Sequence, residues 1–245
     1  MITMGSRRVD EVLAQLVCQK ALHALRAYVQ PRVILEALSA RGLELSPVDL
    51  SRYLSGSVLP APEKAYAILD IIYRSGLVGE AFRRAVEVDS QGIVNVPLIA
   101  YNAQLLDLAA SVAYALFRGR VDVVVTAATN GIPLAALASS FLGTRLAVAR
   151  RERESPTLKY LEADLLLRDP PSYVHLYMPA DMLRGGDRVL IVDDLFRTGR
   201  TLRALVNIAA KADARVVGGV SMVALGEAWR EAVPAGSEFV ALLRL

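Results

Sequence analysis

The stretch Val189-Leu190-Ile191-Val192-Asp193-Asp194-Leu195-Phe196-Arg197-Thr198-Gly199-Arg200-Thr201 decides the fold. Four apolar, mostly β-branched residues read as a strand buried on both faces. Two carboxylates stand at its C-terminal end, followed by a short turn with one glycine. The run Leu202–Ala210 then reads as a helix. Strand, turn and helix in that order leave free backbone N–H groups and the positive end of a helix dipole at one spot. Thr198 and Thr201 add hydroxyl donors, and Gly199 lets the backbone approach a ligand closely. Such a turn suits a phosphate, while Asp193 and Asp194 suit the adjacent hydroxyls of a sugar. The ligand implied is a ribose 5-phosphate held by the backbone of Leu195, Phe196, Arg197, Thr198, Gly199 and Arg200. Arg197 and Arg200 either add charge to the phosphate or are solvated residues at the helix start. A P-loop is excluded, because no Gly-Lys-Ser/Thr triplet occurs.

Working outward, strands alternate with helices on both sides of this stretch. Val121–Val125 is a buried strand, and Leu134–Phe141 is a helix. Arg145–Ala149 is a strand, Tyr160–Arg168 and Tyr173–Tyr177 are hairpin strands, and Val216–Val223 and Phe239–Leu243 close the sheet. Asn102–Phe117 is a helix, and Ile93–Ile99 reads as extended, with Pro97 marking an edge. The pattern argues for a mostly parallel α/β sheet. The segment Thr126-Ala127-Ala128-Thr129-Asn130-Gly131 is again strand, small-residue turn and helix start. It is expected to face the first turn at the crevice where open α/β sheets bind ligands. Between strands, Arg150-Arg151-Glu152-Arg153-Glu154-Ser155-Pro156-Thr157-Leu158-Lys159 is polar. It is either a cationic loop for a polyanion, through Arg150, Arg151, Arg153 and Lys159, or a solvated hairpin tip.

The first ninety residues read differently. Val9–Val29 is an amphipathic helix carrying Val12, Leu16, Leu22 and Leu25. Arg32–Ala40 is a second helix. Ser46 as N-cap and Pro47 at the first helical position open a third, which stops at Ser55-Gly56. Glu63–Tyr73 is a fourth, with Ala65, Ile68, Leu69 and Ile72 on one side, and Leu77 onward is a fifth. Ser90-Gln91-Gly92 marks the boundary between a helical domain, 1–90, and an α/β domain, 91–245.

At 54% hydrophobic residues the chain buries a sizeable core, and its net charge of +3 does not by itself point to nucleic acid. A single cysteine, Cys18, excludes a disulfide framework within the chain and fits a reducing compartment. His23 and His175 lie far apart without metal-ligand spacing, so no protein-held metal is expected. No apolar run suggests a membrane span, and the start lacks a secretory signal, so a soluble cytoplasmic protein is expected.

The thirteen-residue stretch resembles the ribose-phosphate signature of type I phosphoribosyltransferases: four apolar residues, two acids and a Thr-Gly-x-Thr turn. The resemblance implies a parallel sheet with a hood, and a ligand such as phosphoribosyl diphosphate bound with Mg²⁺. Asp193 and Asp194 would hold the ribose diol as catalytic groups. Ala127, Ala128, Thr129 and Asn130 take the place of the family's pyrophosphate loop. Many members carry Glu or Arg there, so this chain departs from the pattern in a way that argues against efficient transfer. Residues 150–159, with Arg150, Arg151 and Lys159, match the family's flexible loop.

Ser46–Gly56 resembles the recognition helix of helix-turn-helix proteins of the phage-repressor type. Leu50, Tyr53 and Leu54 would pack inward, with Pro47, Val48, Ser51 and Arg52 facing a major groove. Ser46, Ser55 and Ser57 would contact phosphates. A helical cap or dimerisation element is the alternative, and Arg26–Lys64, with five basic and four acidic residues, is only weakly basic. The combination is similar to archaeal phosphoribosyltransferase-like regulators, the group that includes the glucose–fructose catabolism regulator, and in plan to the purine repressor of Gram-positive bacteria. It implies a homodimeric, ligand-sensing transcription regulator on double-stranded DNA. A purine or orotate phosphoribosyltransferase is the rival expectation.

Overall fold

The computed structural model describes residues 4–87, 94–168 and 171–245, with side chains described for 8–87, 94–165 and 174–245. The chain forms two compact units, residues 1–95 with 102–116, and residues 96–101 with 117–245. The expected boundary at Ser90-Gln91-Gly92 lies outside the described residues. The chain therefore passes between units at Asn95–Val96, Tyr101–Asn102 and Leu116–Phe117.

The first unit contains α1 (Met4–Leu25), α2 (Pro31–Ser39), α3 (Pro47–Ser55), α4 (Pro62–Arg74) and α5 (Leu77–Ala85). Three of these open on a proline in the first turn, where the missing N–H would have had no partner. The third begins and ends as the sequence indicates. Ser46 Oγ accepts from the Asp49 amide at 3.0 Å, and Gly56 closes the helix in the left-handed conformation, φ 76°. Its core joins Leu22, Leu25, Ile34, Leu38, Leu50, Ile68 and Ile72, each contributing about 1.5–3 kcal/mol when fully buried. One expectation is corrected here. Val12 and Leu16 are exposed, and the buried stripe of α1 runs instead through Ala14, Val17, Cys18, Ala21, Leu22 and Leu25. Burial pushes the Cys18 thiol up, leaving it a small apolar core residue.

Between the units, α6 (Val96–Ala100) belongs to the second, and α7 (Ala103–Phe117) to the first apart from Phe117. The expected extended segment is thus a helix over 96–100, while Ile93 lies outside the described residues. Pro97 stands in its first turn, a position a helix tolerates as readily as a strand edge does.

The second unit is an α/β layer. Its strands are β1 (Val123–Ala127), β2 (Arg145–Ala149), β3 (Tyr160–Arg168), β4 (Pro171–Pro179), β5 (Arg188–Phe196), β6 (Arg215–Ala224) and β7 (Glu238–Arg244). A five-stranded parallel sheet runs in the order β2-β1-β5-β6-β7, and β3-β4 is a separate antiparallel pair. Helix α8 (Ile132–Leu142) links β1 to β2, and α9 (Arg200–Lys211) links β5 to β6. The sheet therefore grows outward in opposite directions from β1 and β5, which makes their C-terminal ends the switch point where such sheets open a crevice.

Two glycines of β6 leave room for neighbouring rings. A Cβ on Gly218 would lie 2.4 Å from the Phe117 ring, and one on Gly219 would lie 2.2 Å from the Phe239 ring. At the opposite end of β1 and β5, Arg188 clamps Asp122 through Nε at 2.9 Å and Nη2 at 2.8 Å, and its amide adds a third bond at 2.8 Å. That guanidinium holds the Asp122 carboxyl down at about 2.

Candidate ligand cleft

Strand β5 continues through both acids to Phe196, and the turn Arg197–Gly199 leads into α9. The turn rests on an aromatic floor. Phe196 and Trp229 stack with centroids 5.1 Å apart, and Phe239 lies 6.0 Å from Phe196. Gly199, φ 71°, sits so close to this floor that a Cβ would come within 2.9 Å of Trp229 Cα. Glycine is thus required twice over, by the backbone angle and by the space. Arg200 Nε donates to Thr198 Oγ1 at 3.0 Å, fixing the turn from its own side. A hollow of about 270 Å³ lies over it, lined by Leu195, Phe196, Arg197, Thr198, Gly199, Arg200 and Thr201 with Asp193 and Leu202. Every residue expected to hold the ribose 5-phosphate lines this hollow.

The neighbouring cleft, about 710 Å³, brings together the other sequence segments. Ala127, Ala128, Thr129 and Asn130 form one wall, Asp193, Asp194, Leu195 and Thr201 a second, and Arg150 and Arg151 a third. The Ala128 amide donates to Ala149 O at 2.8 Å, so the β1–α8 turn is held to the end of β2. Gly131 is another obligatory glycine. A Cβ there would stand 2.4 Å from Thr126 Oγ1 and 2.8 Å from Asp193 Oδ1.

The two acids differ in environment. Asp193 is 8% exposed, and its Oδ1 accepts from the Asp194 amide at 3.0 Å. Burial raises the Asp193 pKa well above the carboxylate range, and the neighbouring Asp194 raises it further. Asp194 is only partly buried and keeps its side chain along the cleft wall. The pair therefore offers one accessible carboxylate and one set behind it.

The charged loop after β2 is largely self-paired. Arg150 Nε meets Glu154 Oε1 at 2.9 Å, and Arg153 is ion-paired to Glu162 beneath the Tyr160 and Tyr177 rings. Arg151 has no ion pair among the described residues and lines the cleft. Lys159 is exposed and is not among the cleft-lining residues. It sits at the start of the β3–β4 pair rather than at the loop's tip, because Tyr160 is already a strand residue. Sequence reasoning missed Glu152, Glu154, Leu165 and Leu176, which line the same cleft. It also missed Tyr101, the turn residue just after α6, whose hydroxyl donates to Asn130 Oδ1 at 3.1 Å. Nothing local in the sequence marks Tyr101, since the contact spans 29 positions.

In the helical unit, Ser46, Pro47, Val48, Ser51, Arg52, Ser55 and Ser57 are all exposed, and Leu50, Tyr53 and Leu54 are buried. Ser46 caps its helix, Ser55 Oγ donates to Arg52 O at 3.0 Å, and Ser55 and Ser57 bond each other at 2.7 Å. No helix among the described residues is long and apolar enough to cross a membrane.

A parallel sheet with two acids and a glycine turn at its switch point defines an α/β protein with a candidate ligand cleft at the strand ends. The chain belongs to the phosphoribosyl transferase domain family, whose model matches residues 99–233. Among its relatives, the purine biosynthesis transcriptional repressor PurR of Bacillus subtilis is 28% identical over 98 residues, 40% of this chain and 34% of that protein. The adenine phosphoribosyltransferase of Renibacterium salmoninarum is 33% identical over 129 residues, 53% of this chain and 69% of the enzyme. The hypoxanthine/guanine phosphoribosyltransferase of Methanosarcina mazei is 30% identical over 109 residues, 44% and 55% of the two chains. The match thus spans about a third of the repressor and 55–69% of the two enzymes. The adenine phosphoribosyltransferase structure from Rhodothermus marinus superposes with a TM-score of 0.60 at 22% identity, covering 69% of this chain and 98% of that one. That likeness shows the α/β fold.

Proposed function

We propose that this chain is a DNA-binding transcription regulator that senses phosphoribosyl diphosphate, or a closely related sugar phosphate, through its phosphoribosyltransferase-type cleft. One observation carries the reading: the cleft is joined to a separate helical unit whose α3 buries Leu50, Tyr53 and Leu54 and turns Pro47, Val48, Ser51 and Arg52 outward. A helix capped at both ends whose outer face is left free of packing is able to enter a major groove as a recognition helix.

In this reading the turn Arg197–Thr201 holds the 5-phosphate through backbone amides and hydroxyls. Asp194 accepts from the ribose hydroxyls, with Asp193 behind it. Thr129 and Asn130 give neutral donors to the diphosphate end, and Arg151 gives charge. Mg²⁺ fits this donor set, since it is held by one or two carboxylates together with a ligand's own phosphates. It would neutralise the diphosphate, with Asp194 as the accessible protein oxygen. The residues at the diphosphate end support sensing over transfer, because Ala127–Asn130 bring no ionisable side chain. The chain acts as a homodimer in the cytoplasm on a two-fold-related site, with half-sites about 10 base pairs or a multiple apart.

The identity to an adenine phosphoribosyltransferase across 69% of that enzyme supports the second reading, a purine phosphoribosyltransferase. The two separate cleanly. Gel shifts with the chain's own promoter region, with and without phosphoribosyl diphosphate and Mg²⁺, should give a sequence-specific complex. Arg52→Ala should cost about 1–3 kcal/mol of discrimination if Arg52 reads a base edge. No specific complex under either condition, together with turnover of a nucleobase, would make the enzyme reading primary.

A further inference from the structure

Two hydrogen-bonded side chains stand next to each other in sequence at a crossing between the units. Tyr101 ends the α6 segment of the α/β unit, and its hydroxyl donates to Asn130 Oδ1 at 3.1 Å. Tyr101 is 57% exposed. Asn102, the next residue, begins the return to the helical unit. Its Oδ1 caps α7 by accepting from the Gln104 and Leu105 amides at 3.0 and 3.1 Å. Its Nδ2 donates to the Tyr28 hydroxyl at 3.2 Å. Tyr28 lies in the turn between α1 and α2, and its carbonyl accepts from Arg84 Nη1 of α5 at 2.8 Å. One peptide bond therefore connects a side chain fixed on the cleft loop with a side chain fixed on the turn that leads into α2.

We propose that Tyr101 is a positioning residue for Asn130, and that the Tyr101–Asn102 step couples occupancy of the cleft to the Tyr28 turn ahead of α2. The inference rests on the sensing reading for its ligand and deepens it by naming the regulatory connection. A ligand that draws Asn130 toward its diphosphate pulls on the Tyr101 hydroxyl. That displacement passes along the backbone to Asn102, whose side chain is bonded to both α7 and Tyr28. Coupling requires that the ligand interact differently with the two arrangements, and Asn130 is the cleft residue through which it does so.

The test uses the full chain and phosphoribosyl diphosphate with Mg²⁺. Binding is read from the fluorescence of Trp229, the only tryptophan, which lies under the phosphate turn. The response of the helical unit is read from amide hydrogen exchange of residues 26–38. In the wild type, saturating ligand should change exchange there by about fivefold or more, the low end of ordinary coupling between sites. Tyr28→Phe keeps the ring, removes the hydroxyl and lies outside the cleft. It should bind ligand as the wild type does while losing most of that change. Tyr101→Phe should lose the change too, with a modest loss of affinity through the freed Asn130. If both variants keep the full change, the connection is overturned while the sensing reading stands. If the wild type gives a Trp229 signal but no exchange response, the connection is likewise overturned. No Trp229 response in the wild type would overturn the sensing reading, and the connection with it.

Discussion

Gly131→Ala isolates the contact on which the cleft is built. The backbone at Gly131 is ordinary, φ −70°, so alanine brings no conformational strain of its own. The whole effect must come from the added methyl. It would stand 2.4 Å from Thr126 Oγ1 and 2.8 Å from Asp193 Oδ1, against about 3.4 Å for ordinary contact. Thr126 would have to withdraw by about 1 Å, and Asp193 by somewhat more than half that. Both are buried, so neither can swing out to solvent. Overpacking of this kind costs about 1–3 kcal/mol. The α/β unit should lose that amount in urea unfolding followed by Trp229 fluorescence, and ligand binding should weaken because Asp193 is displaced from behind Asp194. Thr126→Ala removes the nearer obstacle. Its own cost should be below about 1 kcal/mol, because the hydroxyl makes one long bond, to Ala127 O at 3.4 Å. The double variant should therefore recover part of the loss, with a coupling of about 0.5–3 kcal/mol. Gly131→Ala within about 0.5 kcal/mol of the wild type, with undiminished affinity, would refute the reasoning. So would a strictly additive double variant.

Asp193 binds its proton more tightly folded than unfolded, so its contribution to stability is present below its unfolded pKa and is lost as pH rises through the folded value. Asp193→Asn should flatten the fall in urea midpoint above about pH 4 and stabilise the unit at neutral pH, while weakening ligand binding; parallel pH profiles for the two proteins would sink this. Asp122 has the opposite sign. Its pair with Arg188 contributes above the ordinary carboxylate pKa and is lost as pH falls toward about 2. With side chains 38% and 45% exposed, the pair is worth about 0.2–1 kcal/mol, and Asp122→Asn should show that deficit at pH 6 and progressively less of it as pH falls through about 2. Arg151→Ala should weaken phosphoribosyl diphosphate binding about two- to fivefold at low salt. The difference should shrink as salt is raised, and a salt-independent loss would mean Arg151 acts by shape rather than charge.

What the sequence made legible follows from how local each cause is. The third helix could be read to its ends because Ser46, Pro47 and Gly56 act on their own backbone. The position of the turn at 197–201 could be read because strand, acids, turn and helix are contiguous, and its residues line one hollow. The loop at 127–130 shares a cleft with it because β1 and β5 are neighbours, which strand order decides and composition does not. The failures have the same origin. Which apolar stripe of α1 turns inward depends on the partners' shapes, so Val12 and Leu16 look as buriable as Val17 and Cys18. Pro97 suits an edge strand or a helix start equally, and only tertiary contacts choose. Tyr101 and Trp229 matter through residues far away in sequence, Asn130 and Gly199, and no spacing rule reaches that far.

Binding and turnover place different demands on one cleft. Transfer from phosphoribosyl diphosphate separates a sugar cation from a diphosphate, so a transferase gains rate only from groups that hold this state better than the ground state. Here the charge that could follow the departing diphosphate is committed elsewhere: Arg150 to Glu154, and Arg153 to Glu162. Glu152 and Glu154 bring negative charge to the same wall. Arg151 remains, on an exposed loop. At the sugar end, by contrast, the donors and acceptors that would recognise an unreacted ribose phosphate in the proposed reading are held by glycine-tight packing at Gly131 and Gly199. A sensor needs just that, differential affinity between two arrangements without chemistry. The expected outcome is tight phosphoribosyl diphosphate binding with turnover far below the typical enzyme value of about 10 s⁻¹ on a panel of nucleobases, measured by release of pyrophosphate. A rate near that value would show that Arg151 and the neutral loop suffice, and the sensing assignment would then have to give way.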